Sequence, residues 1–185
     1  PQKLDEVAPA LAAKVGPETI VVSILAGVEG GSLRQRFPAA GAIVRAMPNL
    51  PVSEGRGVVA LYSDEADAGL RARLSALFAP LGRTHWAYDQ AEFSAIGALA
   101  GAGPAYVARF IAALARAGEA GGLAPGLAQA NALETVAGTA LMAEAKGEAM
   151  DEVARRVASP KGTTKAGLAV LDADGALDRL IAETI

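Results

Sequence analysis

Asp89 divides this sequence into two parts that cannot fold alike. Before it, short apolar runs rich in Val and Ile alternate with amphipathic stretches. After it, β-branched runs vanish, Ala and Leu dominate, and apolar residues recur only at helical spacing. The first pattern requires strands covered by helices, and the second requires helices packed on helices. We therefore expect an α/β domain over residues 1–89 and an all-α domain over residues 90–185.

Within the first part, Leu4, Val7, Ala8, Leu11 and Ala12 line one face of a helix ending near Gly16-Pro17. The run Thr19–Gly27 reads as a strand buried on both faces of a parallel sheet. A short helix over Gly31–Phe37 and a second buried strand over Gly41–Asn49, breaking at Pro48, follow. Gly57–Tyr62 is a third strand. Ser63 is expected to cap a helix from about Asp64 to Ala79 that buries Leu70, Leu74, Leu77 and Phe78, and Thr84–Asp89 is short enough for an edge strand. In open α/β sheets ligands bind beyond the carboxyl ends of strands, so a cofactor should lie at Ala26, Gly27, Met47, Pro48 and Asn49. Core packing of Met47 and a plain turn at Pro48-Asn49 are the structural alternatives. No partner pattern surrounds His85, which reads as a side chain on the sheet surface.

In the second part, helices are expected at about 90–100, 104–120, 125–146, 148–158, 163–173 and 175–184. Tyr106, Val107, Phe110, Ile111 and Leu114 form one apolar face, and Leu127, Ala130, Leu133, Ala137 and Leu141 another. Gly101-Ala102-Gly103-Pro104 is either a helix start that brings small residues close to a ligand or a packing kink between helices. So many small residues leave little bulky apolar mass for a core. The physical expectation is a helical core shared between two chains, against the alternative of a monomeric bundle.

The stretch Val157–Leu171 sets a tight polar turn before a small apolar helix. Pro160 fixes one backbone angle, Gly162 permits angles other residues avoid, and Thr163 and Thr164 place hydroxyls at the first turn, where helix amides favour a carboxylate. An ordinary capped helix is the alternative, and Ser159 could serve as a cap or touch a ligand. Glu92, Glu119 and Glu134 read as solvated or paired helix charges.

A net charge of −3 provides no broad basic surface, which argues against nucleic acid or an anionic membrane as partner. With no Cys and one His, disulfides, thiolate metal sites, a Cys nucleophile and a His cluster are excluded, and no metal site is expected. The longest uncharged run, Phe93–Ala108, is too short for a membrane span and contains Gly101, Gly103 and Pro104; no cleavable leader is visible, and a cytoplasmic location is expected.

Three stretches carry a resemblance. Val157–Leu171 resembles the C-terminal Ser-Pro-Gly-Gly-Thr-Thr signature of pyrroline-5-carboxylate reductases, Arg45–Tyr62 their Arg-x-Met-Pro-Asn segment, and Ala98–Gly118 their Ser-Gly-Ser-Gly-Pro-Ala-Tyr helix start. They occur in the family's order. The resemblance implies the C-terminal part of a Rossmann-like domain followed by a helical dimerisation domain. It also implies hydride transfer from NADPH or NADH to the C=N bond of 1-pyrroline-5-carboxylate, giving L-proline. Ser159, Gly162, Thr163, Thr164, Gly101 and Gly103 would bind substrate, with the Thr164 hydroxyl reaching the ring nitrogen as the catalytic contact. Homodimers interlocked through the helical domain, assembled into rings such as decamers, are implied as well.

Two departures stand out. Lys161 occupies the place of the family's second glycine, and the Gly-x-Gly-x-x-Gly phosphate loop is absent from the sequence. The opening PQKLDEV resembles the segment just after a family strand ending Val-Lys-Pro, which places Pro1 among the cofactor-binding residues and has the chain enter such a protein partway through its first domain. A non-catalytic dimerising remnant of such a reductase is the alternative function.

Overall fold

A computed structural model describes residues 1–159 and 162–185; the expectations for Pro160 and Lys161 lie outside the described residues. The chain forms two compact units, Pro1–Ala105 and Tyr106–Ile185.

The first unit is a four-stranded mixed sheet in the order β1 (Ile20–Ser23), β2 (Ala42–Pro48), β3 (Gly57–Tyr62), β4 (Gly82–Trp86), with α1 (Leu4–Ala12), α2 (Gly30–Arg36), α3 (Ala68–Phe78) and α4 (Gln90–Ile96) around it. β1 runs parallel to β2, β3 antiparallel to β2, and β4 parallel to β3. Strand periodicity sorts the core by face. Ala42, Val44 and Ala46 of β2, with Val59 and Leu61 of β3, meet Leu70 and Leu74 of α3. On the other face Ile43 packs with Ala8 of α1 and Leu33 of α2, while Met47 and Ala60 pack near Phe93 of α4. Val44, Val59 and Leu61 have no exposed surface.

β1 packs on both faces as expected, Ile20 and Val22 on the α3 side and Val21 on the α1 and α2 side, although all three are only half-buried. Two expectations are corrected here. Ser63 does not cap α3. Its hydroxyl donates to the Ile43 carbonyl at 2.6 Å and accepts the Glu65 amide at 3.0 Å, which ties it to the sheet, and the helix starts four residues later than expected behind Asp67. Leu77 is 65% exposed, although its spacing puts it on the side of α3 that carries Leu70 and Leu74; it stands in the last turn, just before the helix ends at Phe78.

Asp67 caps α3 by accepting the Leu70 amide at 2.7 Å. Asp67→Ala is expected to cost about 1 kcal/mol, read as a lower urea midpoint with an unchanged m-value.

Glu65 pins the start of β2. It accepts the Ile43 amide at 2.7 Å and pairs with Arg34, whose Nε donates at 3.0 Å. Arg34 holds the Glu65 carboxyl below the ordinary glutamate range, and the Ile43 amide acts in the same direction against partial desolvation. A depressed folded-state pKa adds stability above the unfolded carboxylate value and loses it as pH falls through the folded one. Thermal stability should therefore drop below about pH 4.5, and Glu65→Gln should flatten that slope by under about 1 kcal/mol, because the pair is one-third exposed.

The division between units falls within α5 (Ala102–Ala120). The second unit contains the rest of α5, then α6 (Pro125–Lys146), α7 (Met150–Val157), α8 (Thr163–Leu171) and α9 (Ala176–Thr184). Gly147, at φ 62°, ends α6. Its buried residues are small: Ala115, Ala128, Ala132, Ala143 and Val153. The two bulky faces read from the sequence point outward, with Val107, Phe110 and Leu114 of α5 and Leu127, Leu133 and Leu141 of α6 all exposed. The helical run Gln90–Ala120 is long and apolar enough to cross a membrane by length and composition, although its shorter uncharged core suggested otherwise.

Candidate functional site

The β1 carboxyl end opens into solvent. Ala26 and Gly27 are exposed, Gly27 sits at φ 75°, and a Cβ added there would meet nothing within 4 Å. The freedom of glycine at this bend leaves room against the backbone for a ligand. Pro1 lies ahead of α1, exposed, with its carbonyl accepting the Leu4 amide at 3.0 Å.

At the β2 end the side chains are already engaged. Arg45, Met47 and Asn49 are alternate residues and share the face that carries α4. Arg45 is 8% exposed; it donates to Gln90 Oε1 at 2.6 Å and stacks its guanidinium 4.4 Å from the centre of the Phe93 ring. Burial lowers its pKa from the ordinary arginine value, opposed by Glu29 and Tyr62. The adjacent Tyr62 donates to Asp64 at 2.6 Å, and that hydrogen bond, with some burial, raises the phenol's pKa. Met47 rests on Gly97, where an added Cβ would come within 2.2 Å of Cε. Asn49 Nδ2 donates to the Ala100 carbonyl at 3.0 Å. Both structural alternatives therefore describe what these side chains do within the unit: Met47 packs, and Asn49 closes the bend into a short 3-10 turn over Leu50–Glu54.

Gly97–Gly101 is a π turn between α4 and α5, so the helical backbone continues and Gly101-Pro104 is not a separate helix start. Pro104 offers no N–H, which relaxes the ladder there without breaking the helix. A Cβ added at Gly101 or Gly103 would meet nothing within 4 Å; their smallness answers no packing demand among the described residues.

In the second unit, Gly162 is the N-cap of α8 with φ −81° and ψ 159°, and among the described residues no side chain caps the helix. The Gly162 amide donates to the Ser159 carbonyl at 3.0 Å, and a Cβ at Gly162 would stand 2.5 Å from Ser159 Oγ, which would have to swing aside. Among the described residues the first amides of α8 are left without a side-chain cap. Thr163 and Thr164 are exposed on that first turn. Gly101 and Gly103 belong to the first unit and Ser159, Gly162, Thr163 and Thr164 to the second.

Residues 90–185 match the pyrroline-5-carboxylate reductase dimerisation family. The chain is 39% identical to the pyrroline-5-carboxylate reductase of Synechocystis sp. over 176 residues, covering 95% of this chain and 65% of that protein. The chain belongs to the pyrroline-5-carboxylate reductase family. A second reductase, from Pseudomonas aeruginosa, is 35% identical over 95% of the chain and 64% of its own length. The chain thus spans about 65% of the curated relatives it matches. Among solved structures, a Coxiella burnetii pyrroline-5-carboxylate reductase superposes with a TM-score of 0.91 at 30% identity, covering 100% of this chain and 68% of that one. A Plasmodium falciparum pyrroline carboxylate reductase with NADP bound gives 0.80 at 26% identity over 98% of this chain and 71% of its own. These relatives bear out the family resemblance and the fold: a Rossmann-like α/β part, then helices.

The contact of Arg45 with Gln90 and Phe93 is not among the expectations from sequence, although an arginine inside the apolar strand Gly41–Asn49 is a visible signal of a buried polar contact. Glu92 accepts the Tyr88 amide at 2.5 Å and lies 3.2 Å from His85 Nε2, which makes it a paired helix charge at the surface.

Proposed function

We propose that the chain serves as a pyrroline-5-carboxylate reductase, reducing the C=N bond of 1-pyrroline-5-carboxylate to L-proline with NADPH or NADH. The observation that carries this reading is the uncapped N-terminus of α8 behind the Ser159–Gly162 fold. Its amides and dipole suit a carboxylate, and Thr164 adds a hydroxyl one residue into the helix. The substrate has one carboxylate and one ring nitrogen, which match those two features.

The bent, exposed Ala26-Gly27 segment fits a dinucleotide close to the backbone, and the Pro48 region borders the same carboxyl edge of the sheet. When bound, the nicotinamide supplies the hydride. Gly162, Thr163 and Thr164 would hold the carboxylate, with the Thr164 hydroxyl available to the ring nitrogen, and in the first unit Gly101 and Gly103 leave the backbone open to a ligand. Orientation and exclusion of water are the protein's main contributions, because a protonated imine already accepts hydride readily.

The exposed Val107, Phe110, Leu114, Leu127, Leu133 and Leu141 support a homodimer through the helical domain, over residues 90–185, within a soluble cytoplasmic enzyme that can assemble into larger rings. The test is to mix the full-length protein with NADPH or NADH and pyrroline-5-carboxylate, and to follow loss of reduced cofactor with formation of proline. Proline formed in step with cofactor oxidation sustains the reading. A dimer that binds proline without any turnover would instead mark a non-catalytic assembly module.

A further inference from the structure

Asn49 is held from three sides. Its backbone amide donates to the Val58 carbonyl at 3.1 Å, its Oδ1 accepts the Val58 amide at 2.8 Å, and its carbonyl accepts the Val52 amide at 3.2 Å. Since Oδ1 faces a donor, Nδ2 has to face the other way, and it does so toward the Ala100 carbonyl at 3.0 Å. In an uninterrupted α-helix that carbonyl is bonded by the amide of residue 104, which here is proline. Asn49 therefore supplies from the sheet the donor that Pro104 withholds from the helix.

The consequence is rotational. A π turn places one extra residue in the helical circuit, which turns everything after it by about 100° relative to an uninterrupted helix. Gly101 is the last residue of the π turn Gly97–Gly101, and Gly103 lies two residues beyond it. Met47 against Gly97 fixes where that turn begins, and Asn49 on Ala100 fixes where it ends.

We propose that Asn49 is a positioning residue: by taking the Ala100 carbonyl it maintains the π turn and so sets the direction in which Gly101 and Gly103 face. The consequence for substrate rests on the reductase reading. Asn49→Asp keeps an acceptor for the Val58 amide but removes the donor to Ala100. Adding Pro104→Ala returns an N–H to the helix, so that Ala100 can be bonded without the π turn.

The experiment compares full-length wild type, Asn49→Asp and Asn49→Asp/Pro104→Ala by steady-state kinetics and amide hydrogen exchange. The single variant is expected to raise the KM for pyrroline-5-carboxylate about tenfold, leave the cofactor KM within about twofold, and speed exchange of the helix amides at residues 102, 103, 105 and 106. The double variant is expected to regain protection while its substrate KM stays raised, because the helix is then regular but wrongly turned. Recovery of both protection and KM would reduce Asn49 to a structural support and overturn the proposal; so would a rise in cofactor KM instead, or an unchanged substrate KM. If wild type does not turn over pyrroline-5-carboxylate, the reductase reading falls by itself. The π-turn role is then judged by exchange alone, and unchanged exchange in Asn49→Asp overturns it.

Discussion

Thr164→Val is expected to lower turnover on the order of 10²-fold while leaving the protein folded and its assembly unchanged, the loss expected when one positioned donor is removed from a reacting centre. Valine matches threonine in shape and in β-branching, so the helical turn loses only a hydroxyl. Thr164 is exposed, and among the described residues no side chain caps α8. Thr163→Val is the internal control: one residue away on the same turn, it should change turnover far less if the ring nitrogen is met by Thr164 alone. Steady-state rates for both variants, with size-exclusion profiles, decide the matter. Wild-type turnover in Thr164→Val would remove the proposed catalytic contact.

The second large effect is on folding. Gly82 starts β4 at φ 129°, in register with Gly57 of β3, and a Cβ placed on it would lie 2.2 Å from the Gly57 carbonyl oxygen and 2.6 Å from its nitrogen. Both obstacles are backbone. Gly57 cannot retreat, since its own position is enclosed by Val52 Cγ1 at 2.3 Å and Asn49 Oδ1 at 2.9 Å from where its Cβ would be. Gly82→Ala combines a disfavoured backbone angle with a clash that no side-chain rotation relieves, and should cost more than about 3 kcal/mol. Urea unfolding followed by circular dichroism would show it as a large fall in midpoint. Gly31→Ala offers the contrast: that position in α2 has open space, and alanine there should be neutral or slightly stabilising, by up to about 1 kcal/mol. Equal midpoints for the two variants would contradict the packing described for the β3–β4 start.

Local chemistry made much of this protein legible. The apolar run of β3 and the Gly-bounded, strongly periodic helices α6 and α9 came out within one or two residues of the sequence reading, since their signals lie within a few residues of each other. The start of α8 was legible for the same reason: Gly162 and the threonines are neighbours in sequence, and the helix begins at Thr163 as expected.

Where two local signals competed, the sheet decided. Ser63 and Asp67 are both good caps in sequence; the Ile43 carbonyl, twenty residues upstream, claimed the Ser63 hydroxyl and left α3 to Asp67. Leu77 looked as apolar as Leu74 and shares its side of α3, yet only Leu74 is buried. The link from Asn49 to Ala100 spans fifty-one residues and that from Arg45 to Gln90 forty-five, so neither leaves a periodic trace. By itself the sequence determined the two-part architecture and the order of its elements, both written in short-range patterns of apolar residues, glycine and proline. Only the tertiary structure decided that the Arg45, Met47 and Asn49 side chains grip α4 and the π turn, and that Gly101 closes that turn with Gly103 just beyond it, because those depend on which strand face a distant helix meets.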